Sequence, residues 1–221
     1  MSKEFQIIRF VSIVGGRVLF NGETLYSDED QQQPYNEFTK GLYKTLEINY
    51  PKFYKMDPLC KLAFLSSEIL LKGISLQPKY LPSEIAITLF NSASSLATDL
   101  KFQETINDKS NYFPNPSLFV YTLPNIMIGE ICIRNNFKGE NTLLVFNNFE
   151  SELMFDYIEN LIVKDKTKCV IGGWIDFDPF KEERSAYESF LFLVEANDPE
   201  GKDFMKFEKN NICNLYQSGR K

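Results

Sequence analysis

An α/β layered fold is what this sequence predicts, from three observations. Apolar runs with strand character alternate with runs whose apolar residues recur at helical spacing. The last two strand-like runs, "CVIGGWIDF" and "SFLFLVEA", are joined by the polar "DPFKEERS" with no helix between, which implies an antiparallel finish to the sheet. The chain has 221 residues, 43% hydrophobic and 24% charged, enough for a sizeable core in one large domain or two small ones.

The elements follow in order. "FQIIRFVSIVGG" reads as a β-branched strand ending at Gly15 and Gly16, with a short "RVLF" and an Asn21-Gly22 turn after it. "SDEDQQQPYNEF" reads as a polar loop whose Asp28, Glu29 and Asp30 are solvated rather than metal-binding. From Asn36, the spacing of Phe38, Leu42, Leu46 and Ile48 predicts a helix that ends near Tyr50 and Pro51. "MDPLCKLAFLSSEILLKGI" is the clearest helix, with Asp57 as cap, Pro58 at the first helical position and Gly73 at the stop. Leu59, Leu62, Ala63, Leu65, Ile69 and Leu70 spread around it, so it is expected to be largely buried, with Cys60 in the core.

"EIAITLFNS" predicts a strand, "SLATDLKFQETI" a short helix or turn, and "NDKSNYFPNPS" a loop punctuated by Pro114 and Pro116. "LPNIMIGEICIRNNF" returns to helical spacing, "KGE" turns, and "NTLLVF" is a strand. A junction follows at Asn147, Asn148, Phe149, Glu150 and Ser151, then a helix with Leu153, Tyr157, Ile158, Leu161 and Ile162 on one side. After the final strand, "NDPEG" reads as a turn. "KFEKNNICNLYQSGRK" is weakly patterned, so the domain is drawn over 1–205 and a polar tail over 206–221.

Composition narrows the chemistry. A net charge of −6 argues against a nucleic-acid partner. Cys60, Cys132, Cys169 and Cys213 lie far apart with no C-x-x-C pair, which argues against zinc and suits reduced thiols in the cytoplasm. No apolar run has the flanks of a signal peptide or the length of a membrane span. With no histidine in the chain, no Ser-His or Cys-His pair and no His metal ligand is available. "GENTLL" and "VGGR" lack full phosphate-binding fingerprints, so no nucleotide cofactor is expected. Asp176 and Asp178 could hold a cation but read more simply as loop acids, and Trp174 as a packing residue.

Several motifs together resemble the N-terminal half of the β-ketoacyl synthases, condensing enzymes of the thiolase fold. "MDPLCKLAFLSSEILLKGI" is similar to that family's Met-Asp helix. "LPNIMIGEICIRNNFKGEN" is similar to its Asn-containing helix and Gly-Pro turn, with Glu140 in the proline place. "CVIGGWID" and "YESFLFLVE" resemble its Gly-Gly strand and the strand after it. The resemblance implies a thiolase-like layered fold, N-terminal half only, with helices packed on a mixed sheet.

The departure falls on the junction. Where the family carries its nucleophilic Cys, this chain has Asn147 or Asn148, and asparagine cannot form an acyl thioester. The family's catalytic histidines belong to the half that has no counterpart here. Glu150 and Glu152 suit the helix dipole but would repel an oxyanion, and Phe149, if it points inward, fills the place of a substrate carbonyl. Ser151, the junction's hydroxyl, reads as a helix-start residue rather than a nucleophile. No catalytic residue, cofactor or metal is therefore assigned.

The resemblance implies a non-catalytic subunit of fatty-acid, polyketide or polyene-type biosynthesis, partnered with a full-length ketosynthase or an acyl carrier protein in a homo- or heterodimer. Its expected seam is the strand before the junction: Thr142, Leu143, Leu144, Val145 and Phe146, with lysine at Leu144 or Phe146 as the disrupting change. The rivals are a stand-alone acyl-chain binder and an acyltransferase with another nucleophile, such as Cys60, Cys132 or Ser151.

Overall fold

The computed structural model describes residues 5–28, 33–77, 79–164, 167–182, 185–196 and 205–220. Its centre is one mixed sheet. Strands β1 (Phe5–Val14), β2 (Arg17–Phe20) and β3 (Glu23–Ser27) form an antiparallel meander. Its turns use Gly15, Gly16, Asn21 and Gly22 at positive φ, the backbone that two-residue hairpin turns demand. Strands β4 (Ile85–Asn91), β5 (Asn141–Val145) and β6 (Cys169–Phe177) are mutually parallel, and β7 (Tyr187–Ala196) runs antiparallel to both β6 and β1. The order is β3-β2-β1-β7-β6-β4-β5, with the two-residue β8 (Met205–Lys206) on β1 beside Gln6 and Ile7. The antiparallel finish expected from the helix-free connection is present.

Helices cover both faces. On one side lie α1 (Tyr35–Thr45), α2 (Pro58–Leu70) and α5 (Ile126–Asn135), over the inward residues Ile85, Ile87 and Leu89 of β4 and Cys169, Ile171 and Ile175 of β6. The alternate residues Ala86, Phe90, Val170 and Trp174 face the other side, where α6 (Ser151–Lys164) and α7 (Lys209–Ser218) pack. Helices α3 (Leu96–Asn107) and α4 (Pro116–Val120) follow the C-terminal end of β4, and the Ser95 hydroxyl before α3 donates to the Thr122 carbonyl after α4 at 2.9 Å.

Helix α2 forms as its punctuation dictates. The Asp57 carboxylate accepts from the Cys60 amide at 2.8 Å, Pro58 opens the first turn, and Gly73 lies at φ 73° beyond the end. It is buried nearly all round, and Cys60 is fully inside. Between β6 and β7 the chains approach so closely that a Cβ on Gly173 would overlap the Phe190 carbonyl oxygen, while one on Gly172 would meet the Phe192 ring at 2.7 Å and Ile158 at 2.6 Å. The glycine pair is a packing device, not a phosphate loop. Gly139 works alike, passing against the Ile85 carbonyl so that Ile87 can bond to Glu140.

Several sequence expectations are corrected. Asp28 is buried and accepts from the Gln33 amide at 3.1 Å; Glu29 and Asp30 lie outside the described residues. Helix α1 stops at Thr45, where Glu47 turns to φ 54° and lets Leu46 and Ile48 pack without a helix. Pro116 does not block structure but starts the short α4, capped by Asn115. On α6 the buried row is Met154, Ile158 and Ile162, with Tyr157 and Leu161 beside it and Leu153 exposed. The stretch read as a polar tail carries α7, whose Ile212, Leu215 and Tyr216 are buried against the sheet. The "NDPEG" turn lies outside the described residues. Among the described residues, no helix is long and apolar enough to cross a membrane.

Candidate functional site: the strand-to-helix elbow

The junction singled out in the sequence does form an elbow. The Phe146 amide donates to the Asn91 carbonyl at 2.9 Å, which carries β5 to the C-terminal end of the sheet, and α6 starts at Ser151. A cleft of about 580 Å³ opens there, lined by the elbow, by Trp174 and Asp176 of β6, by Glu188 of β7, and by Cys213, Tyr216 and Arg220 at the C-terminus.

Asn147 and Asn148 are exposed, and none of the elbow residues takes a positive φ. Phe149 points inward. Its ring stacks on Tyr216 at 3.7 Å and 10°, with edge contacts to Trp174 at 6.2 Å and Phe190 at 6.1 Å. Glu150 and Glu152 are exposed at the helix start, where their charges suit the dipole and oppose a second anion. Ser151 is half-buried there, in a chain that has no histidine to activate it.

The remaining charges hold structure together. Glu188 Oε1 accepts from Trp174 Nε1 at 3.0 Å and from the Tyr216 hydroxyl at 3.1 Å, and Arg220 donates to that hydroxyl at 2.6 Å. Asp176 is buried, and its oxygens accept from the Ser92 and Ala93 amides at 3.1 and 2.9 Å and from the Ser92 hydroxyl. Its capacity is spent on the loop after β4 rather than on a cation. Asp178 instead caps the Phe180 amide at 3.0 Å. Trp174 is a packing residue, with 2% exposure and its N–H paired.

The thiols proposed as alternative nucleophiles are held protonated. Burial pushes Cys60 well above the ordinary thiol range, helped by the nearby Asp57, and pushes Cys132 up to about 11. Cys169 is raised well above that range by burial and then by Glu195. Cys213 was missed by sequence reasoning, because it stood in the presumed tail. It is half-exposed in the cleft and accepts from Gln217 Nε2 at 3.4 Å. Spacing could have found it: Ile212, Leu215 and Tyr216 recur at helical intervals ahead of Gly219. Iodoacetamide at pH 8 is expected to label Cys213 first, and Cys213→Ser to remove that fast phase. Equal or faster labelling of Cys60 or Cys169, read by peptide mass mapping, would contradict the burial described here.

Comparisons with known proteins bear on the fold. No protein-family model matches the chain, and no curated protein matches it in sequence. Among solved structures it is similar to the ishigamide ketosynthase/chain length factor, with TM-score 0.61 and 16% identity over 90% of this chain and 63% of that one. It is also similar to a chain of a ketosynthase in complex with its chain length factor from Xenorhabdus doucetiae, with TM-score 0.61 and 12% identity over 98% of this chain and 92% of that one. A type II polyketide acyl-carrier protein complexed with its ketosynthase gives TM-score 0.58 and 11% identity over 88% of this chain and 63% of the matched one. The chain thus has the thiolase-like layered α/β fold of ketosynthase and chain-length-factor structures, and it spans 63% of the first of these matched chains.

Proposed function

We propose that this chain is a non-catalytic ketosynthase-like subunit that pairs, in the cytoplasm, with a full-length ketosynthase of fatty-acid, polyketide or polyene-type biosynthesis. The elbow carries this reading. The fold is kept while the position of its chemistry holds Asn147 and Asn148, with Phe149 filling the space beneath. A scaffold retained without its nucleophile is used for its surface. Two of the similar structures, the ishigamide ketosynthase/chain length factor and a ketosynthase in complex with its chain length factor, favour the same role. In the second, the matched chain is nearly the length of this one, as the 98% and 92% coverage implies. A carrier protein is the weaker partner, because such proteins are generally acidic and this chain carries −6.

Strand β5 supports the seam. Among the described residues it is one of the sheet's two edge strands, and Thr142, Leu143, Leu144, Val145 and Phe146 include no charge to discourage pairing. Glu140 and Phe146 spend their inward groups on β4, so by alternation the backbone groups of Leu143 and Val145 point away from the sheet. Leu144 and Phe146 pack into the second core cluster, so lysine there would damage the fold rather than report on the seam. Tyr112, Phe113 and Phe119, on the segment between α3 and α5, are further exposed apolar side chains.

The test is co-expression with condensing-enzyme and carrier-protein genes adjacent to this one, followed by pull-down and product analysis. A stable complex is expected. Val145→Pro, which removes one outward N–H from an edge strand, is expected to weaken it at least tenfold while the monomer's melting temperature stays within a few degrees. Failure to co-purify, together with unchanged product on deletion, would remove the subunit reading. A covalent acyl adduct by intact mass that survives Cys213→Ser would reinstate an enzyme.

A further inference from the structure

Residues 111–125, between α3 and α5, include no charged residue, in a chain of which 24% is charged. Such a stretch is expected inside the molecule, yet only its Tyr121 is buried. Tyr112 is 62% exposed, Phe113 78% and Phe119 55%, and Val120 and Leu123 are nearly half exposed. Single exposed apolar residues are ordinary; five within twelve positions make a patch.

The patch is held from behind. Helix α3 and the chain after it run side by side in opposite directions. The Phe113 amide donates to the Thr105 carbonyl at 3.1 Å, the Phe119 ring meets Phe102 at 5.5 Å, and the Thr122 carbonyl accepts from the Ser95 hydroxyl. Asn115 caps α4, accepting from the Ser117 and Leu118 amides at 2.9 and 3.2 Å. Tyr121 anchors the stretch in the first core cluster, with its hydroxyl on Glu130 at 3.3 Å. The exposed rings are therefore positioned before any partner arrives, and little ordering is left to oppose association.

The absence of charge favours one occupant. No cation in 111–125 attracts an anionic lipid headgroup, and a chain of net charge −6 is repelled by an anionic bilayer. Repulsion between two copies of this chain is least where neither brings a charge. The size also fits. Taking roughly 200 Å² for a whole aromatic side chain, the exposed parts of the five residues amount to about 500 Å² per copy. Two copies face to face would hide about 1,000 Å², the lower bound of a specific interface.

We propose that the chain self-associates through this patch, residues 111–125 of one copy packing on the same residues of a second about a twofold axis. Tyr112, Phe113 and Phe119 are the anchors, the residue types that dominate interface cores. An interface this small gives a weak dimer, with a dissociation constant on the order of 10–100 µM. The proposal is independent of the subunit reading: it concerns the chain alone and makes no use of strand β5.

The test is sedimentation equilibrium of the full chain across that concentration range. A reversible monomer–dimer equilibrium is expected. Tyr112→Ser and Phe113→Ser should each raise the dissociation constant about tenfold or more. Val120→Glu, which gives both copies a like charge in an apolar contact, should leave only monomer. All three side chains are exposed, so the thermal midpoint should stay unchanged in each variant. Val145→Pro should leave the equilibrium as it was. A monomer throughout overturns the proposal, as does a dimer that Phe113→Ser and Val120→Glu leave intact. A dimer lost only with Val145→Pro moves the contact to β5 and overturns it too. Cosedimentation of a monomeric chain with phosphatidylcholine vesicles, abolished by Phe113→Ser, assigns the patch to lipid and overturns it as well.

Discussion

Gly173→Ala is expected to leave little folded protein, and Gly172→Ala to fold with reduced stability. The two glycines are neighbours in one strand, yet their surroundings differ in kind. A methyl at Gly173 would lie inside the Phe190 carbonyl oxygen and 2.9 Å from the Leu191 Cα, both backbone of the paired strand β7. Its φ of 157° is also one that L side chains rarely adopt. Relief would require separating β6 from β7 at the middle of the sheet, so the loss is set at about 4 kcal/mol or more, most of a typical domain's stability. A methyl at Gly172 would meet only side chains, Ile158 Cδ1 at 2.6 Å and the Phe192 ring at 2.7 Å, which can shift within the core. Overpacking of that kind costs about 1–3 kcal/mol. Soluble yield and urea midpoints check both. A Gly173→Ala protein as stable as the parent would mean that the two strands are not this close.

The next largest effect belongs to Tyr216→Ala, expected to cost about 3–5 kcal/mol, in the range of buried aromatic truncations. The ring is 8% exposed and stacked on Phe149, and its hydroxyl joins Glu188 and Arg220. Its loss leaves Phe149 without its stacking partner and removes one of two donors from Glu188 Oε1. Tyr216→Phe keeps the stack and should cost only about 1 kcal/mol. The reporter is built in, because the chain's one tryptophan, Trp174, donates to the same Glu188 oxygen. Tyr216→Ala should shift its emission to the red before global unfolding, and Tyr216→Phe should not. An unshifted spectrum and unchanged midpoint for Tyr216→Ala would show that α7 does not hold the elbow closed.

What was legible in the sequence was what local chemistry decides alone. Asp57, Pro58 and Gly73 bracket α2 because cap, ring and left-handed stop each act within one turn. The β6–β7 pair was legible because nine intervening residues, 178–186, leave no room for a crossover helix. Less legible were features decided by distant partners. Asp28 is buried because a loop amide returns to it, and nothing in "SDED" encodes that. On α6 the rows Leu153-Tyr157-Leu161 and Met154-Ile158-Ile162 share one spacing, so period alone could not say which faces the sheet. Helix α7 was hidden by Asn210, Asn211 and Asn214 on a surface helix whose stability comes from packing on β6 and β7 rather than from propensity. At the elbow, the strand-to-helix junction itself was legible, while the stack of Phe149 on Tyr216 was half hidden, since its second member comes from α7.

The pairing of β1 with β7 has a kinetic meaning. Phe5 stands opposite Ala196 and Val14 opposite Glu188, so nearly the whole chain lies between strands that are neighbours in the sheet. During synthesis the meander of β1, β2 and β3 emerges early and waits for its central partner. The largely apolar α2 also waits, because β6 and β7 form part of the surface that buries it. Closing so long a loop is entropically slow, and until it closes an apolar helix and an unpaired strand edge are open to the solvent. The nascent chain therefore passes through a stage in which recognition by holding chaperones competes with folding, and its lifetime in that stage is set by the arrival of β7.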